Sequence, residues 1–104
     1  MKIIKKLADF ISDELEGAED YIECAMLKKE EYPQLAKVLY DMSMQEMHHV
    51  EMLHAEVVKM IEKHRQEKGE PPAAMLAVWD YIHEKQIEES KEIKMLQAEF
   101  RNNV

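Results

Sequence analysis

The 104 residues carry 22 acidic against 14 basic side chains, a formal charge of -8, with two glycines, three prolines and one cysteine. That balance disfavours nucleic acid or an anionic membrane surface as a partner and attracts cations, and Cys24 alone cannot form an internal disulfide, so nothing requires an oxidising compartment. No uncharged run approaches the roughly 20 residues that span a bilayer, and Asp9 and Asp13 interrupt the basic start before a signal-peptide core can form; the expectation is one soluble, cytoplasmic, almost wholly helical domain.

From about residue 2 to 29, apolar residues recur in a heptad: Ile4, Leu7, Ile11, Ala18, Tyr21 and Ala25. Glu14 occupies one position of that seam, whereas Glu16 shares a face with Ser12, Asp13, Asp20 and Glu23 and reads as solvated. Phase thus selects one carboxylate from a crowded acidic segment. Heptad seams also tolerate an occasional Glu near a solvated end, so Glu14 alone decides nothing.

Glu30, Glu31 and Tyr32 make a short connection, and Pro33 suits the first position of a second helix, where its missing N–H costs nothing. This helix is predicted over 33–65. At about 100° per residue, Leu35, Leu39, Met42, Glu46, His49, Leu53 and Met60 form one stripe. Glu46 and His49, three residues apart, therefore share a face and can share a metal. Glu51 and His54 repeat the spacing but turn towards the opposite, polar side. A polar loop follows; Gly69 can stop the helix and the Pro71-Pro72 pair can start the next. The third helix is predicted over 72–100, with Met75, Val78, Trp79, Ile82, Gln86, Glu89, Ile93, Leu96 and Phe100 in its stripe and Glu92 at the edge. The tail from Arg101 to Val104 reads as frayed.

Short loops make neighbouring helices antiparallel, so residues equidistant from a turn lie at one height. With turns near residues 31 and 69, Glu14, Glu46, His49, Glu89 and Glu92 fall in one layer of an all-α, three-helix bundle. Oxygen ligands with one nitrogen suit iron or manganese and also accept zinc; the lack of thiolates disfavours a structural zinc site. No glycine-rich phosphate loop or zinc-peptidase motif is present. The nine methionines read as adaptable packing, and Trp79 as a core anchor.

The residues 14–53 resemble the ferritin-like superfamily, particularly bacterioferritins and rubrerythrins. Glu14 followed by Tyr21, Glu46-Met47-His48-His49, and Glu89 some forty residues on are similar to that family's ligand pattern. The resemblance implies two iron ions reacting with dioxygen or peroxide, in iron oxidation and storage or in peroxide handling. Glu14 would be a terminal ligand, Glu46 and Glu89 bridges, His49 the nitrogen ligand and Tyr21 a hydrogen-bonding or redox group. Two features depart from the family: the fourth helix with its second Glu-x-x-His, and the long crossover before the third helix, are missing. Encapsulated ferritins are similar in carrying half a site per chain, which implies a homo-oligomer; the apolar stripes, too wide for three helices to cover, ask for the same. The alternative expectation is a helical scaffold or protein-interaction module that kept the core and holds no metal, its seam carboxylates protonated or paired.

Overall fold

The structure, a computed structural model, describes residues 2–103. It is all-helical: α1 spans Lys2–Lys28, α2 Pro33–Lys68 and α3 Ala73–Asn102, and no strand occurs among the described residues. Pro33 opens α2 as expected. The helix runs past Arg65 because nothing in Gln66-Glu67-Lys68 breaks it; it ends at Gly69, whose φ of 81° suits a residue without Cβ and whose N–H donates to the Arg65 carbonyl at 3.0 Å. Pro72, with ψ 139°, is extended and precedes α3.

α1 is the central element. Its buried residues, Ile4, Ala8, Ile11, Leu15, Ala18, Ile22 and Ala25, contact both other helices, while α2 and α3 touch each other little. Part of the contact with α2 is made by small side chains: Ala18 and Ala25 face Ala36 and Ser43, all fully buried. Small residues let the backbones approach, and a buried hydrogen bond records it: Ser43 Oγ donates to the Ala18 carbonyl at 2.7 Å. Gln97 Nε2 of α3 donates to that hydroxyl at 2.9 Å, and Gln86 Nε2 donates to the Ala8 carbonyl at 3.1 Å. These bonds fix the heights of all three helices against one another. Among the described residues, no buried side-chain nitrogen or oxygen lacks a partner.

The far end of α3 is held by Phe100, stacked on Tyr40 at 4.9 Å, and by Arg101, which donates to the Tyr40 hydroxyl at 2.9 Å. Those contacts explain why the tail expected to fray is helical through Asn102; Val104 lies outside the described residues. Among the described residues, no helix is long and apolar enough to cross a membrane.

The predicted α2 stripe differs from the buried face. Ala36, Tyr40, Ser43, Met47 and Val57 point inward, whereas Leu35 is 49% exposed and Leu39, Met42, Leu53 and Met60 are half-buried. The two faces lie roughly 100° apart at about 100° per residue. Hydropathy weights large side chains, whereas close approach here uses Ala and Ser, which carry little signal. The large residues of the predicted stripe consequently flank the buried face, which Tyr40, Met47 and Val57 fill together with Ala36 and Ser43.

Candidate metal centre

Glu14, Glu46 and His49 meet in that flank. One ligand atom from each lies within 4.8 Å of the others, and among the described residues this is the group of metal-ligating side chains that converges. His49 Nδ1 is 3.3 Å from Glu14 Oε2 and 3.9 Å from Glu46 Oε1. The register set by Ser43 and Ala18 brings this about: three and six residues further along α2 come Glu46 and His49, and four residues earlier on α1 comes Glu14. Gly17 lies under Glu46. A Cβ there would sit 3.5 Å from Glu46 Oε2, so the Glu46 carboxylate lies against the α1 backbone.

The side chains are half open, with exposures of 30% for Glu14, 25% for Glu46 and 49% for His49. Sequence phase places them inside an apolar seam; they sit at its edge instead, so the cost of burying their charges is smaller than a core position implies. Two carboxylates and one imidazole nitrogen within reach of a common point form a donor set that fits iron or manganese. Tyr21 is half-buried two helical turns beyond Glu14 and makes no polar contact with the three.

Glu89 goes elsewhere. The expected single layer divides, because Glu89 faces Glu19 of α1, not Glu14. Five residues of helix turn these two about 140° apart. Burial raises the Glu89 pKa above the ordinary carboxylate value, a hydrogen bond with Glu19 acts the other way, and the charges of Glu16 and Glu92 raise it further. Glu19 is likewise raised, first by burial and then by Glu23 and Glu89. Glu89 thus belongs to the α1–α3 groove and Glu14 to the α1–α2 groove, while Glu92, one turn on from Glu89, is exposed. Sequence phase did not single out Glu19, which reads as one more solvated acid on α1; the groove occupied by α3 could be found only from the packing.

His54 and His83 form a third feature between α2 and α3. Their rings stack at 4.8 Å, and Trp79 stacks on His83 at 5.5 Å. Burial, and then the neighbouring His83, lower the pKa of His54.

Comparison with protein-family models, with curated proteins and with solved structures finds no match.

Proposed function

We propose that this chain is a ferritin-like metal protein with an antiparallel three-helix bundle, and that Glu14, Glu46 and His49 are one subunit's share of a carboxylate-rich di-iron centre. The convergence of those three ligand atoms carries the reading. A carboxylate, a carboxylate and an imidazole from two helices match the family pattern that the sequence resembles, and the flanking face leaves room for a second subunit to bring the same three groups. Iron bound there supplies redox chemistry towards dioxygen or peroxide, in iron oxidation, storage or peroxide handling. Glu14 and Glu46 provide negative charge to hold the cation, His49 presents Nδ1 between them, and the half-buried Tyr21 lies along the same side of α1. Glu89, in the other groove, and the exposed Glu92 do not join these three.

A second reading is favoured by one observation: His49 and Glu14 already approach to 3.3 Å, so a protonated imidazole can satisfy the carboxylate without metal. The protein is then a helical scaffold or interaction module. Metal content of protein purified without chelator, measured with the mass of the assembly, separates the two. One or two irons per chain in a dimer or larger assembly are expected, with loss of the metal in Glu46→Ala and His49→Ala. Absence of metal, and a melting temperature indifferent to iron, manganese and chelator, would overturn the metal reading.

A further inference from the structure

The first turns of α3 are held differently from the rest of the helix. Its far end is fixed by Gln97, whose Nε2 donates to Ser43 Oγ at 2.9 Å, and by Phe100 and Arg101 on Tyr40. Its middle is fixed by Gln86, whose Nε2 donates to the Ala8 carbonyl at 3.1 Å and to Ser12 Oγ at 3.2 Å. Before Gln86, α3 meets α2 through rings: Trp79 stacks on His83 at 5.5 Å with planes 11° apart, and His83 stacks on His54 at 4.8 Å with planes 20° apart.

Two further features leave this segment weakly held. Its N-cap is Pro72, with no side-chain hydrogen bond to the free N–H groups of the first turn and no acid there to offset the helix dipole. Behind it, Ile4, Ala8, Ile61, Trp79 and Ile82 line a cavity of about 230 Å³, although closely packed helices leave few voids larger than a water molecule. An uncapped helix start over a void lies at the low end of local stability, so its position depends strongly on the ring contact.

That contact depends on charge. Neutral imidazoles stack on one another and on an indole, whereas two protonated ones at 4.8 Å repel. Burial, and then His83, hold the pKa of His54 below the ordinary imidazole value of 6.5, so the closed arrangement disfavours the proton. Around the pair, Glu51 of α2 lines the same hollow, Asp80 lies one turn before His83 on α3, and α1 brings the uncharged Ile11. Neither carboxylate forms an ion pair among the described residues. Lys5 of α1 lines the cavity behind Trp79, and His64 Nδ1 lies 3.1 Å from the Gly69 carbonyl in the turn before α3.

We propose that the stack of Trp79, His83 and His54 is an acid-operated latch on the start of α3: neutral imidazoles hold residues 73–83 against α2, and protonation of both releases them and uncovers Ile4, Ala8 and Ile61. Release grows as pH falls below about 6.5, the ordinary value that His54 regains when the segment opens. The inference does not rest on the metal reading.

The test is amide hydrogen exchange of the full chain at about pH 7.5 and about pH 5.5, on either side of the imidazole range and corrected for intrinsic exchange, with emission of Trp79, the single tryptophan, followed on the same samples. Protection of residues 76–83 is expected to fall by about fivefold or more at the lower pH, with a red shift of Trp79, while residues 93–101 keep theirs. His54→Phe keeps a ring in the stack that takes no proton, and should hold 76–83 equally protected at both pH values. His54→Gln serves if His54→Phe does not fold by circular dichroism. His64→Gln should leave the response unchanged. Equal protection of 76–83 at both pH values in the unaltered chain, including the case where a second copy covers this end, overturns the proposal. So does a loss spread evenly over all three helices, a loss that survives the His54 substitution, or one that disappears in His64→Gln.

Discussion

Gly17 lies beneath the Glu46 carboxylate. It lies in the interior of a 27-residue helix, where glycine is about 1 kcal/mol less favourable than alanine. A methyl group at this position would stand 3.5 Å from Glu46 Oε2, an ordinary van der Waals contact. Gly17→Ala is therefore expected to raise stability by about 1 kcal/mol, or roughly 4–8 °C in melting temperature for a domain of this size, while leaving metal content unchanged. Thermal melts by circular dichroism and metal analysis of the same samples check it. A stabilised protein that has lost its metal would mean that the Glu46 carboxylate needs the open α1 backbone, and not merely its position. The pairing of Glu14 with Glu46 and His49 was legible in the sequence, because helical phase and distance from a turn are both periodic quantities. The position of Gly17 under Glu46 was not, since nothing in a sequence tells which side chain will lie over a glycine.

Between elements, the α1–α3 groove and the α2–α3 contact respond to pH in opposite directions. Burial holds the pKa of Glu19 and of Glu89 above the ordinary carboxylate value of 4.5 in the folded chain. The folded state then binds protons more readily than the unfolded state, so their contribution to stability grows as pH falls from neutral through the raised values and levels off near 4.5. Burial and the neighbouring His83 hold the pKa of His54 below the ordinary imidazole value of 6.5. The unfolded state here takes the proton first, and stability is lost as pH falls from about 6.5 through the lowered folded value. Glu89→Gln removes a charge that is disfavoured in place, and is expected to raise the melting temperature by a few degrees at pH 7 and to reduce the gain seen on acidification. A melting temperature that falls at pH 7 and a pH profile that keeps its slope would show that Glu89 is stabilised as an anion, by a cation bound in the groove. At this scale the three helices and their turns could be read from Pro33, Gly69 and the Pro71-Pro72 pair. The buried face of α2 could not, because Ala36 and Ser43 make the closest contact with the least hydropathy.

The whole molecule is long, 55 × 20 × 18 Å, with a radius of gyration of 16.5 Å against about 13 Å for a compact chain of this length. Its accessible surface is 7168 Å², whereas a compact monomer of 12.3 kDa exposes about 6,100 Å². The excess of about 1,000 Å² is comparable with the roughly 800 Å² that each partner buries in a standard interface. Part of it is the flank beside the candidate centre: Phe10 is 44% and Leu35 49% exposed, with Leu7, Leu39, Met42 and Leu53 half-buried along the same flank. In the proposed shared centre, a second copy laid on this face would cover the apolar surface and, by twofold symmetry, would bring its own Glu14, Glu46 and His49 opposite the first set. Paired Phe10→Glu and Leu35→Glu substitutions leave every ligand in place and touch no buried residue, so the isolated fold should survive. The expected outcome is a helical monomer by sedimentation, with iron per chain well below that of the unaltered protein. If the variant stays assembled and keeps its metal, this flank is not the shared face; if the unaltered protein is itself a monomer with full metal content, three ligands from one chain suffice.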